Sequence, residues 1–219
     1  MTLSQSLALA DLVDDFSKEI REIESVFTRY VGHRTVAGYR YTYIPLDDGC
    51  LISLWDAWSR FIRRLVVTCA GVPTTGLSGA LYTPPTPRNE AQVIGDLLSN
   101  NRRGNNFGIT NGEPKWSGIR NLTDIVSFLA LPNANTIVSA ISSNAIQLGF
   151  ISVQNPLEEI RKCRNYVAHK SPPTLTDVQQ YASGGYVDFS SHIRRKRSGV
   201  EVFSEWCESL EALGGAASQ

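Results

Sequence analysis

Asn155-Pro156-Leu157-Glu158-Glu159-Ile160-Arg161-Lys162-Cys163-Arg164-Asn165-Tyr166-Val167-Ala168-His169-Lys170, followed by Ser171-Pro172-Pro173, reads as a helix with both ends marked. Asn155 offers a cap, Pro156 suits a first turn, and Glu158 and Glu159 lie near the positive end of the helix dipole. Pro172-Pro173 cannot continue it. On a wheel of ~100° per residue, Leu157, Ile160, Val167 and Ala168 form the apolar stripe, with Arg164 in its middle. A helix built only for packing would carry leucine or isoleucine there. An unpaired charge among apolar side chains is costly, so Arg164 must meet an anion, a ligand or a partner surface. A core carboxylate such as Asp56 is the structural alternative. Glu158, Asn165 and His169 line the adjacent face, with Arg161 at its edge.

Arg164 and His169 stand roughly 140° apart on a straight helix, so one helix does not aim both at one point. Either the helix unwinds before Ser171-Pro172 and His169 swings inward, or two copies of the helix meet across a twofold axis and build a composite site. A plain capping role for His169 at the negative helix end is the structural alternative.

Outward from this helix the chain is mainly α. Leu9, Leu12, Val13, Phe16, Ile20, Ile23 and Phe27 predict a long amphipathic helix over 4–30, ended by Gly32. Residues 36–46 are rich in β-branched and aromatic side chains and predict a short β excursion stopping at Pro45. Asp47-Asp48 caps a second long helix over 50–70, whose far side carries Arg60, Arg63 and Arg64. Residues 71–120 read as a long irregular insertion around Pro84-Pro85-Thr86-Pro87 and Asn100–Asn106, interrupted by a helix over 89–98. Further helices are expected over 121–131, 133–149, 176–181 and 200–213. Tyr186–Phe189 reads as extended and 214–219 as a flexible tail. The expectation is a single helical domain over 1–219, a bundle of about six or seven helices.

The formal net charge of +0, from 21 basic and 21 acidic residues, advertises neither nucleic acid nor membrane globally, so any attraction for phosphate must be local. Arg194-Arg195-Lys196-Arg197 is the strongest basic cluster, read equally as an RNA-backbone contact or a solvated loop. Arg102 and Arg103 are a weaker version. The four cysteines, Cys50, Cys69, Cys163 and Cys207, have no C-x-x-C spacing and predict buried free thiols in a reducing cytoplasm. His33 and His192 lack ligand spacing, and no His/Cys/Asp pattern predicts a metal site or calls for a cofactor. Gly104…Gly108…Gly112 lacks the Lys-Ser/Thr of a phosphate-cradling loop. No basic n-region opens the chain and no apolar run reaches ~18 residues, so neither a signal peptide nor a membrane span is expected.

Arg164-Asn165-Tyr166-Val167-Ala168-His169, on a late helix preceded by long ones, resembles the Arg-polar-x-x-x-His signature of the HEPN superfamily (higher eukaryotes and prokaryotes nucleotide-binding domains). The resemblance implies a helical bundle acting as a homodimeric, metal-independent endoribonuclease, a toxin or antiviral-defence effector with a neutralising antitoxin or defence-system partner protein. It implies that Arg164 holds the scissile phosphate, His169 acts as general base or acid, and Asn165 orients either. Arg161 and the run 194–197 would contact RNA. The 36–46 and 73–120 segments are additions to a minimal bundle of that family. A non-catalytic helical module binding RNA, a nucleotide or a partner protein in the same cleft is the alternative.

Overall fold

The computed structural model describes residues 7–35, 45–101, 107–143, 145–149, 151–181 and 189–219. The fold is mainly α, with nine helices among the described residues. In chain order the elements are β1 (Leu7–Ala8), α1 (Leu9–Thr35), α2 (Pro45–Gly71), β2 (Thr74–Thr75), β3 (Leu81–Tyr82), α3 (Glu90–Asn100), α4 (Ile119–Phe128), α5 (Ala134–Ile141), β4 (Ala145–Leu148) and β5 (Ile151–Gln154). They continue with α6 (Pro156–His169), α7 (Pro172–Gln179), α8 (Phe189–Arg194), β6 (Lys196–Arg197), β7 (Val200–Glu201) and α9 (Val202–Ala217). The chain divides into two compact units, each drawn from separate stretches of sequence, where a single domain is the sequence expectation.

One unit gathers the described residues within Met1–Phe16, Trp58–Ser142 and Leu213–Gln219. Leu9, Leu12 and Phe16 recur at three- and four-residue gaps and are buried, while Asp14 and Asp15 between them are exposed. Phe16 stacks on Phe61 with ring centroids 4.4 Å apart. The expected irregular insertion is organised here. Strand β2 pairs in parallel with β1 and antiparallel with β3. Helix α3 opens on a reciprocal cap, in which Gln92 N donates to Asn89 Oδ1 and Asn89 N donates to Gln92 Oε1. The expected flexible tail over 214–219 is instead packed. Helix α9 runs to Ala217, Ala217 and Ser218 are buried, and Ser218 O accepts from Leu77 N at 2.8 Å. Burial of these small residues outweighs the weak helix propensity of Gly214-Gly215.

The second unit gathers the described residues within Ser17–Ala57 and Ser143–Ala212. Phe27 and Phe203 stack at 4.3 Å in its core. Gly32 lies inside α1, which continues to Thr35, so glycine there does not terminate the helix. Residues 36–44 of the expected β excursion lie outside the described residues, and Pro45 and Leu46 already belong to α2, proline being suited to a first turn. The helix expected over 133–149 stops at Ile141 and a hairpin follows, with Ile146 paired to Val153 and both buried. Gly149 (φ +57) lies at its turn, where a left-handed conformation suits glycine. Pro172-Pro173 end α6 as expected, and also open α7, where Ser171 and Thr174 form a reciprocal cap. Of the extended 186–189 segment, 186–188 lie outside the described residues and Phe189 begins α8. Arg102, Arg103 and Gly104 lie outside them too.

Candidate functional site

Helix α6 starts from Asn155, whose left-handed backbone (φ 46, ψ 48) aims its carbonyl at the amides of Glu158 and Glu159, each 3.1 Å away. The side chain makes no cap bond, so Asn155 serves through its tolerance of that conformation rather than through its amide. The helix remains regular through His169 and ends when Lys170 turns left-handed (φ 44, ψ 39), its amide donating to Tyr166 O at 2.6 Å. The departure from helix begins only at Lys170 and does not reach His169. The first of the two ways to bring His169 beside Arg164 is therefore absent, and the two side chains keep their separation of roughly 140°.

The buried face comprises Pro156, Leu157, Glu159, Ile160, Cys163 and Val167. Ala168 is exposed. The stripe is thus centred roughly 50° from the expected position, toward Cys163, and Arg164 stands on its flank rather than in its middle. Arg164 is half-buried, with Nε shielded from solvent and without a hydrogen-bond partner. No carboxylate pairs with its guanidinium among the described residues, and the exposed Asp56 does not serve as a counter-ion. Asn165 is half-buried and His169 exposed, and no hydrogen bond joins them. Arg164, Asn165 and His169 therefore share the last turns of one helix without converging on one point.

Arg161 is held at the surface by its own helix. Its Nε and Nη2 donate to Glu158 Oε2 and Oε1 at 2.8 and 2.6 Å. These bonds raise the Arg161 pKa and hold the Glu158 carboxyl below its ordinary range.

The basic run 194–197 divides, which corrects its reading as one cluster. Arg194 is 5% exposed, its Nε donates to Asp47 Oδ2 at 2.9 Å and its Nη2 to Asp47 Oδ1, and it lies over the Phe27 ring. Arg197 spans two buried carboxylates, reaching Glu159 Oε2 at 3.0 Å and Glu205 Oε2 at 2.9 Å. A desolvated guanidinium requires an internal counter-ion, so Arg194 is unavailable to an RNA backbone, while Arg197, one-third exposed, is tied up by its two buried carboxylates. Arg195 Nη2 donates to the Tyr181 carbonyl at 2.6 Å, and Lys196 is exposed.

The residues missed by sequence reasoning are Glu159, His192 and Glu205. His192 Nε2 lies 3.1 Å from Glu159 Oε1, and both side chains are fully buried. Burial pushes the Glu159 carboxyl up, yet the His192 hydrogen bond and the Arg197 charge outweigh it and leave the group below its ordinary value. Glu159 reads from sequence as a favourable charge near a helix start. Counting Cys163 and Pro156 as apolar would have brought the edge of the stripe to within about 40° of it. Its partners, 33 and 38 positions away, carry no local signal.

All four cysteines are free and buried. Burial raises Cys163 and Cys207 well above the ordinary thiol value, so neither suits a nucleophile. Among the described residues no group of three or more His, Cys, Asp or Glu could hold a metal ion, and no helix is long and apolar enough to cross a membrane. Comparison with family models, with curated proteins and with solved structures finds no match to this chain.

Proposed function

We propose that the chain is a metal-independent endoribonuclease of HEPN type, whose site is completed by a second copy of α6. The observation that carries this reading is Arg164, a guanidinium with a shielded, unpartnered Nε and, among the described residues, no carboxylate, five residues before an exposed imidazole on the same helix. A cation without a counter-ion among the described residues, on a half-buried flank, is suited to an external anion, and a phosphodiester fits its planar donor fork. His169 removes the proton of an RNA 2′-hydroxyl, whose oxygen bonds to the adjacent phosphorus. The 5′-oxygen leaves with a proton from a second His169, giving a 2′,3′-cyclic phosphate. Arg164 neutralises charge growing on the phosphoryl oxygens. Asn165 orients His169 or the phosphate. Because one straight helix holds Arg164 and His169 apart, the reading requires a homodimer. In this role the protein acts in the cytoplasm as a toxin or antiviral-defence effector, held in check by a neutralising partner protein. Arg161, Arg195 and Lys196 remain on surfaces where RNA phosphates could exchange for their present contacts.

The absent Asn165–His169 hydrogen bond favours a second reading, a helical module that binds RNA, a nucleotide or a protein without cutting. Incubating wild type, Arg164→Ala and His169→Ala with structured RNA and a chelator separates the two. Chelator-resistant cleavage falling by about 10²-fold or more in each variant is expected. Intact RNA bound at low salt would favour the module, and a monomer at micromolar concentration would sink the composite site.

A further inference from the structure

Helix α6 is capped at its C-terminus by a residue unusual for its conformation. Lys170 is left-handed (φ 44, ψ 39), a state that costs a non-glycine residue about 1 kcal/mol and for which glycine is the ordinary choice. A lysine pays off here only through its long arm. Lys170 Nζ lies 2.6 Å from Asp48 Oδ2, across 122 positions of sequence. The Asp48 side chain is 13% exposed, against 43% for Lys170, so a largely buried carboxylate receives the ammonium. Asp48 itself sits on a fixed base. Its neighbour Asp47 is locked to Arg194, with both side chains 1% exposed. On the other side of Lys170, Ser171 and Thr174 bond reciprocally and start α7 at once.

His169 stands directly before this clamped residue. It is the last residue of α6, it is exposed, and no side chain among the described residues holds its imidazole. Its direction is therefore set by the backbone, and helix ends fray unless something ties them.

We propose that Asp48 is a positioning residue for His169, gripping Lys170 so that α6 stays helical to its final residue and presents the imidazole in one direction. Strained backbone persists where its surroundings over-determine it, and here the strain lies next to the candidate proton-transfer group. The proposal rests on the ribonuclease reading for its catalytic meaning, while the clamp itself is a statement about α6. Arg194 acquires a role at the same time, as the anchor of the helix turn that carries Asp48.

The test compares wild type with Asp48→Asn, Lys170→Met and Lys170→Arg in the full chain. Cleavage of structured RNA and amide hydrogen exchange at His169 and Lys170 are both measured. Asp48→Asn and Lys170→Met should lower kcat about ten- to a hundredfold with KM held within about twofold. Lys170→Arg, which preserves the ion pair, should restore most of kcat. The two disruptive variants should also lose exchange protection at Lys170 while α9 amides keep theirs. Unchanged kcat in Asp48→Asn, failure of Lys170→Arg to rescue, or loss of protection throughout the chain would each overturn the proposal. If wild type leaves RNA intact, the ribonuclease reading fails and with it the catalytic role. Amide exchange then decides separately whether Asp48 fixes the end of α6.

Discussion

Glu159 and His192 meet with no solvent between them: Oε1 and Nε2 are 3.1 Å apart and neither side chain is exposed. Arg197 joins Glu159 to Glu205, so α6, α8, β6 and α9 share one charged network inside the second unit. Removing one member of such a network leaves its partners buried and uncompensated. Glu159→Gln should therefore lower unfolding free energy by ~3 kcal/mol or more. Urea denaturation checks this, and a loss within about 0.5 kcal/mol would show that the network adds little stability.

The same carboxyl sets an acid limit. Its folded pKa lies below the ordinary carboxyl value, since hydrogen bonding from His192 and the charge of Arg197 overcome the effect of burial. A depressed folded pKa contributes stability that is fully present above the unfolded value of about 4.3 and is lost as pH falls through the folded one. Stability should fall as pH drops below the unfolded value of about 4.3, and Glu159→Gln should flatten that limb. Equal slopes in the two proteins would assign the acid limb to other groups.

Gly76 and Gly95 predict opposite signs for the same substitution. A Cβ on Gly76 would stand 2.1 Å from the backbone oxygen of Gln219, so Gly76→Ala must displace the packed tail. It should cost about 1–3 kcal/mol and increase exchange of the Leu77 amide, which donates to Ser218 O. A Cβ on Gly95, within α3, meets nothing within 4 Å. Gly95→Ala should stabilise by about 0.5–1 kcal/mol. Thermal melting of both variants reads the contrast directly.

Arg194 and Lys196 are two positions apart and should behave as unlike residues. Arg194→Met strands the buried Asp47 carboxylate and should cost about 3–5 kcal/mol. Lys196→Ala, at an exposed position, should stay within about 0.5 kcal/mol. Equal destabilisation by the two would contradict the division of the basic run.

Much of the secondary structure was legible because its causes are local. The three- and four-residue recurrence of Leu9, Leu12 and Phe16, the carboxylates at the start of α2 and the proline at the start of α6 each act within a few positions. The candidate trio was legible for the same reason, since it occupies six consecutive residues of one helix.

The apolar run around Ile146 was misread because a short run satisfies both a helical and an alternating period. Pairing with Val153 decides for the hairpin. Sequence also made Arg164 the buried charge of α6. Tertiary structure gives that place to Glu159, because burying a charge depends on counter-ions, and His192 and Arg197 arrive from far along the chain. Sequence alone thus determined a mainly helical chain with Arg164, Asn165 and His169 near the end of one helix. Only the fold decided which arginines are spent on internal carboxylates, that the tail is packed, and that α6 stays helical to His169, because each depends on partners that folding brings together.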